Sequence, residues 1–103
     1  MGEDRANGRA RIVIASPLEA EHAARIAAAF PNRTEVIHRP DLLPPTRYRG
    51  DHDGDPAWTR RPEQQREWLD LLAGAEVLWD FPFDAHDNLM EVTPRLRWVQ
   101  TTS

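Results

Sequence analysis

The fold is decided near the start of the chain, where residues 11–30 read RIVIASPLEAEHAARIAAAF. Residues 11–15 form an unbroken apolar run rich in β-branched side chains, which is typical of a strand covered on both faces. Ser16, Pro17 and Glu19 follow directly and predict a helix start. Ser16 can accept a hydrogen bond from the third helical amide, while Glu19 reaches back to the cap amide. The stretch therefore predicts a strand that passes at once into a helix.

This first helix is predicted to be amphipathic and to lead into a second strand. Its apolar stripe consists of residues three and four positions apart, namely Ala23, Ile26, Ala27 and Phe30. Residues 31–32 end the helix, and residues 34–38, TEVIH, follow as the second strand. Because the connections are short, this strand-helix-strand unit requires a right-handed parallel crossover.

The rest of the chain continues the same alternation after one interruption. Residues 39–61 contain four prolines and scattered charge, which predicts a long surface loop. A helix is predicted from Pro62 to a left-handed stop at Gly74, and a strand follows over 76–81. A short third helix, capped by Asp84 or Asp87, ends at Pro94. A buried strand over 97–101 comes last. Residues 1–10 are expected to be a disordered tail. The predicted fold is α/β, a flavodoxin-like three-layer sandwich whose parallel sheet has about four strands in the order 2-1-3-4.

Composition excludes several classes of function. The chain has 103 residues, which is one domain at most, and it has no cysteine, which excludes disulfides, thiolate catalysis and Cys-ligated zinc. Its net charge is −4 and all 13 basic residues are arginine. A basic surface that binds the phosphate backbone is therefore not predicted, and nucleic acid is not an expected partner. No window approaches the roughly 18 apolar residues of a membrane helix. We expect a soluble cytoplasmic protein with no membrane partner.

Two segments carry a resemblance to a known family. Residues 72–78, LAGAEVL, and residues 94–103, PRLRWVQTTS, are together similar to the N-terminal substrate-domain segment of the D-isomer-specific 2-hydroxyacid dehydrogenases. The resemblance spans residues 11–103 and implies the N-terminal part of a substrate domain, incomplete for the family. That family interconverts 2-hydroxy and 2-oxo acids by hydride exchange with NAD, which binds a separate Rossmann domain. This domain is absent here, since the five glycines include no Gly-x-Gly pair.

The resemblance also implies the roles of individual residues. No residue matches the family's catalytic arginine, glutamate and histidine, so the fragment is expected to be inactive by itself and not to bind NAD. Phe81 resembles a wall of the substrate cleft that favours an apolar substrate side chain. Thr102 and Ser103 begin a turn whose backbone amides meet the substrate carboxylate in the family. The simpler alternative is that Phe81 is ordinary core and that Thr102 and Ser103 are ordinary strand-end residues.

Two further sets of residues have no strong functional pattern. Asp51, Asp53 and Asp55 are spaced as in a calcium loop, but prolines stand where that loop needs a glycine and a bidentate glutamate. A solvated flexible loop is the simpler interpretation; alternatively the loop covers the substrate cleft, with Tyr48, His52 or Trp58 reaching inward. His22, His38 and His86 have no metal-ligand spacing and are expected at the surface or at strand ends.

Two other classes of function remain open. A phosphorylation receiver would use Asp80, after the third strand, as phosphoacceptor and Thr101 as switch hydroxyl. It would need an acidic pair where this chain has Ser16 and Pro17. A non-enzymatic interaction domain would use the open edge of the last strand, which could pair with a second copy to form a homodimer. In the leading interpretation the partners are a 2-hydroxy or 2-oxo acid and the missing nucleotide-binding domain.

Overall fold

The computed structural model describes residues 9–82 and 88–101, and it shows the predicted alternation of strands and helices. The strands are β1 (Ala10–Ile14), β2 (Thr34–Ile37), β3 (Val77–Trp79) and β4 (Trp98–Gln100), all parallel, in the order β2-β1-β3-β4. The helices are α1 (Ala20–Ala29), α2 (Pro62–Gly74) and α3 (Leu89–Val92), with a short 3-10 helix at Pro40–Leu42. The predicted α/β class and strand order are confirmed. No helix in the described part of the chain is long and apolar enough to cross a membrane.

The helices lie on opposite faces of the sheet. Since parallel crossovers are right-handed, the connection from β1 to β2 places α1 on one face, and the connections that run toward β4 place α2 and α3 on the other. The contacts agree, because α1 packs on β2 while α2 contacts both β1 and α3. The core between sheet and helices contains Val13, Trp68, Leu72 and Leu78, each at most 1% exposed.

The register brings three strand ends to one level. Ile14 of β1 lies opposite Trp79 of β3, and Trp79 lies opposite Gln100 of β4. In a parallel sheet the segments that follow these residues therefore leave from the same edge. We call this the carboxyl edge; it is where open α/β sheets bind ligands.

The predicted start of α1 is wrong. The helix begins at Ala20, four residues after Ser16, and no side-chain cap forms there. The Glu19 carboxylate accepts a hydrogen bond from the backbone N–H of Gly50 at 2.8 Å instead of returning to a cap amide. The prediction that Phe30 belongs to the buried apolar stripe is also wrong, because this side chain is 63% exposed. A contact distant in sequence has replaced the local capping pattern.

The second helix begins at Pro62 as predicted, and its end differs from the prediction. The backbone N–H of Arg61 donates to Gln64 Oε1 at 2.9 Å, which satisfies one donor at the helix start. Gly74 does not have the positive φ of a left-handed stop; among the described glycines only Gly50 and Gly54 do. The predicted caps Asp84 and Asp87 of the third helix lie outside the described residues.

The last two strands are shorter than predicted, and β4 is not buried. β3 stops at Trp79 because Asp80 has a φ of 69°, which turns the chain out of the sheet. In β4, Val99 packs against the core while Trp98 is 59% exposed, since an edge strand has only one covered face here.

At the other end of the chain, Ala10 already belongs to β1, and its backbone N–H donates to the Arg33 carbonyl at 2.8 Å. The remainder of the predicted tail, residues 1–8, lies outside the described residues.

Candidate functional site

The long loop over residues 39–61 is mostly exposed, as predicted for a surface loop, but its beginning is anchored in the core. Leu42 is fully buried and Leu43 is 3% exposed, and both belong to the hydrophobic core. The Arg60 guanidinium Nε donates to the Leu42 carbonyl at 2.6 Å, which ties the end of the loop to its beginning. Arg60 also lies over the ring of the buried Trp68, 4.6 Å from its centroid.

A buried carboxylate organises the middle of the loop. The Asp51 side chain is 0% exposed and receives two hydrogen bonds from the Arg47 guanidinium, at 2.8 and 3.1 Å. It also accepts the backbone N–H groups of Arg47 at 3.0 Å, Gly54 at 3.2 Å and Asp53 at 3.3 Å. The hydrogen bonds from Arg47 outweigh the effect of burial and hold the pKa of Asp51 well below its ordinary value. These oxygens bind their own loop, so the spaced aspartates do not form a calcium loop.

Gly54 brings the loop against the segment that follows β1. Its φ is +76°, and a Cβ placed on it would overlap the Pro44 side chain and lie 3.2 Å from Pro17 Cγ. Gly50, with a φ of +84°, makes the hydrogen bond to Glu19. Both positions need the left-handed backbone that glycine adopts without strain. The loop thus lies over the carboxyl edge at the end of β1.

A small cavity of about 190 Å³ lies at this edge between β1 and β3. It is lined by Ser16, Pro17, Leu18, Glu19, Gly50, His52 and Trp79. In the strand order 2-1-3-4 the direction of winding reverses between β1 and β3, which is the usual ligand position in doubly wound sheets. Ser16 Oγ and Trp79 Nε1 are buried and have no hydrogen-bond partner among the described residues.

Of the three side chains expected to reach inward from the loop, one lines this cavity. His52 is among the lining residues, whereas Tyr48 is exposed and lies beside the Arg47 guanidinium. The Trp58 ring lies 5.7 Å from the Arg60 guanidinium, outside both of the cavities described here. Of the three named side chains, His52 alone lines this cavity, and a loop that covers a substrate cleft stays a prediction.

A larger cavity, of about 390 Å³, lies on the β2 side of the carboxyl edge. Its lining comes from the segment after β1 and from the beginning of the long loop, and it includes His38, the first residue after β2. Burial lowers the pKa of His38, and a hydrogen bond with the Leu18 backbone opposes this effect without overcoming it. His38 is therefore an electrically neutral member of the wall at neutral pH. The sequence had placed it at a strand end without a role.

The predicted substrate wall lies at the opposite end of the carboxyl edge. The backbone N–H of Asp80 donates to the Gln100 carbonyl at 2.7 Å, and its side-chain Oδ1 accepts from the Phe81 N–H at 2.9 Å. This turn leaves Phe81 at the edge, 40% exposed, so the alternative that Phe81 is ordinary core is wrong. Thr101 follows β4 and is exposed. Thr102 and Ser103 lie outside the described residues.

The residues at the start of α1 do not fit a dinucleotide. In Rossmann domains this turn supplies backbone N–H groups and a helix N-terminus to the pyrophosphate. Here Pro17 has no N–H, and the Glu19 carboxylate stands at the helix start, where the Gly50 hydrogen bond keeps its pKa low. An ionised carboxylate at that point repels a diphosphate. NAD therefore has no binding site built in the usual way on this turn.

The described residues also do not fit the metal site of a receiver. Asp80 and Thr101 follow β3 and β4, as expected for a phosphoacceptor and switch hydroxyl. However, residues 9–82 and 88–101 contain no group of three or more His, Cys, Asp or Glu side chains that could hold a metal ion. His22 lies 3.9 Å from the Glu19 carboxylate, and His86 falls outside the described residues.

The buried pair of Arg47 and Asp51 was not predicted. The four-residue spacing of Arg47 and Asp51 was a visible signal for an ion pair, but burial of that pair depends on how the loop packs on Pro17. The two cavities had no local signal, since each is formed by segments from different parts of the chain. Scans against protein-family models and searches of curated proteins and of solved structures found no match for this chain.

Proposed function

We propose that this chain is the N-terminal part of the substrate domain of an NAD-dependent oxidoreductase that acts on the CH–OH group of a D-2-hydroxy acid. The single observation that carries the proposal is the turn at Asp80, which presents the half-exposed Phe81 at the carboxyl edge of the sheet. A left-handed non-glycine residue directly after a central strand is uncommon and concentrates at functional sites. The resemblance of residues 72–78 and 94–103 to the dehydrogenase family supports the same assignment.

The substrate would bind on the half of the edge formed by β3 and β4. Phe81 offers an apolar wall to the substrate side chain, and the backbone amides of Thr102 and Ser103 would receive the carboxylate.

The nicotinamide cofactor would be held by another domain. The turn after β1 does not suit a diphosphate, since it combines Pro17 with an ionised Glu19. NAD would supply the hydride in the whole enzyme, and this chain would supply one wall of the substrate cleft. By itself the chain should neither bind NAD nor turn over substrate. The absence of cysteine suits a reducing cytoplasm, where we place the enzyme.

The test begins with the coding sequence beyond the codon for Ser103. We expect an open frame that continues into a small-residue turn and then into a Gly-x-Gly-x-x-Gly segment between a strand and a helix. The protein encoded by that extended frame should oxidise NADH when 2-oxo acids are added, and the present chain should not. A frame without the glycine segment, or tight binding of NAD to the present chain by calorimetry, contradicts the proposal.

The contribution of Phe81 is tested in the extended protein with a series of 2-oxo acids of increasing apolar side chain. Phe81→Ala should raise KM most for the largest side chains and least for glyoxylate, because the lost contact is apolar. Phe30→Ala is the matched control, since Phe30 is also exposed but follows α1 near the start of β2, at the opposite edge of the sheet. Equal effects of the two variants on KM would remove Phe81 from the substrate cleft.

A further inference from the structure

We propose that the larger cavity at the carboxyl edge binds a small organic cation, an apolar body that carries an ammonium group. We call it the proline cavity; its lining includes Pro17, Pro40, Pro44, Pro45, Glu19 and His38. Its position separates it from the substrate wall proposed above, because it lies beside β1 and β2 whereas Phe81 follows β3. The proposal therefore does not depend on the dehydrogenase assignment.

The walls of this cavity are apolar and stiff. Four of the nine lining residues are prolines, and Leu43 and Pro44 are themselves buried. Proline fixes φ, and the overlying loop is locked by the buried Asp51 pair and by the contact of Gly54 with Pro44. A volume of about 390 Å³ lies within the range of small-molecule sites. A cavity that is already formed loses little conformational entropy when a ligand enters.

The charge of the lining selects the sign of the ligand. Among the described residues that line the cavity, Glu19 alone carries a full charge at neutral pH. The Gly50 N–H holds its carboxylate in place, and this hydrogen bond lowers the pKa of Glu19, so the group is ionised. The Glu19 side chain is 22% exposed, which leaves it partly shielded from water and strengthens its attraction for a cation. An anion in the same cavity would be repelled.

The histidine in the wall adds no charge to the cavity. His38 Nε2 is buried and has no hydrogen-bond partner among the described residues, so this atom is closed to a ligand in the cavity. Because burial keeps the ring neutral, one ring nitrogen is an acceptor and the ring adds no positive charge against a cation. An ammonium group offers donors and no acceptor, which matches the Glu19 carboxylate in the lining. The apolar body of the ligand would lie against the prolines and Leu43.

Three probes that share one ring and differ in charge test the proposal on the chain itself. Benzylamine is a cation at neutral pH, benzyl alcohol is neutral and benzoate is an anion. In an amide NMR titration, benzylamine should give saturable shifts at Leu18, Glu19, His38 and Thr46. Benzyl alcohol should bind more weakly, and benzoate should leave these amides unshifted. Equal shifts with benzoate, or shifts with benzylamine no larger than those with benzyl alcohol, would overturn the proposal.

A matched pair of variants separates a specific charge effect from a general one. Glu19→Gln keeps an acceptor for the Gly50 N–H and removes the charge, so affinity for benzylamine should fall about threefold to tenfold. Affinity for benzyl alcohol should not change, which shows that the cavity has kept its shape. Glu21→Gln is the control, because Glu21 is exposed, pairs with Arg49 and does not line the cavity. An equal loss of benzylamine affinity in both variants would contradict a site at Glu19.

Discussion

The long loop over residues 39–61 and the closing strand β4 show opposite relations between local pattern and burial. The loop has no periodicity, yet it contributes two leucines to the core and buries the carboxylate of Asp51. Strand β4 has the composition of a buried strand, yet only Val99 packs inward, while Trp98 and Gln100 are exposed. The irregular loop thus contains fully buried residues, whereas the regular strand contains none.

The difference shows that periodicity and burial have separate causes. A run such as residues 97–101 favours an extended backbone, but whether its side chains are covered depends on its place in the sheet. In β4, Val99 points to the face of the sheet that the core covers, whereas Trp98 and Gln100 point to the other face and are exposed. The loop crosses the carboxyl edge, where the ends of β1 and β3 offer apolar surface and unpaired polar groups. We therefore expect mutations in the loop to cost more stability than mutations in β4.

The largest effect is expected from the buried leucine of the loop. Leu42→Ala should lower the free energy of unfolding by about 2–5 kcal/mol, because it leaves a cavity in the core. Urea denaturation measures this loss. Leu69→Ala is the matched control, since Leu69 lies on the exposed side of α2 and should cost less than about 1 kcal/mol. Similar losses for the two variants would mean that the loop does not belong to the core.

The two left-handed glycines of the loop separate backbone strain from steric overlap. Gly50→Ala should cost about 1–2 kcal/mol, the strain of a left-handed alanine, because nothing lies within 4 Å of the new Cβ. Gly54→Ala carries the same strain and also drives a methyl group into Pro44, so it should cost clearly more. Thermal unfolding of the two variants compares them directly. If Gly50→Ala is the more damaging, the loop does not pack on Pro44 and Pro17 as described.

The buried ion pair should make the loop sensitive to acid. Arg47 keeps the pKa of Asp51 below its ordinary value, so the pair stabilises the folded state above about pH 4, where Asp is ionised in the unfolded chain. This contribution is lost as the pH falls from that value toward the lower pKa of the folded state. Asp51→Asn should lower the unfolding temperature at neutral pH and flatten its fall on acidification. Asp53→Asn, at an exposed carboxylate of the same loop, should change neither.

Much of the fold could be predicted because its signals are local. The apolar run over residues 11–15, the proline at the start of α2 and the alternation of strand and helix patterns were enough for the sheet order. The candidate site was not predictable in the same way. Glu19 carries a good local capping signal, but the Gly50 amide lies 31 residues away and takes its carboxylate. The turn at Asp80 depends on a hydrogen bond to Gln100, which no short pattern contains.

The smallest effect on stability is expected from the exposed tryptophan of β4. Trp98→Thr keeps a residue that favours strands and removes a side chain that is largely in water, so the free energy of unfolding should change by about 1 kcal/mol or less. Trp68→Thr makes the same chemical change inside the core and should cost about 3–5 kcal/mol, if the variant folds. Urea denaturation of the pair measures the contrast between edge and core.

Trp98→Thr also tests association between chains, because an exposed aromatic on an edge strand is suited to contact with another polypeptide. If β4 pairs with a second copy of the chain, light scattering should show a dimer fraction that grows with concentration and falls in Trp98→Thr. The strand is only three residues long, so this association should be weak. A loss of stability in Trp98→Thr comparable to that of Leu42→Ala would show that β4 is buried after all and would remove the contrast with the loop.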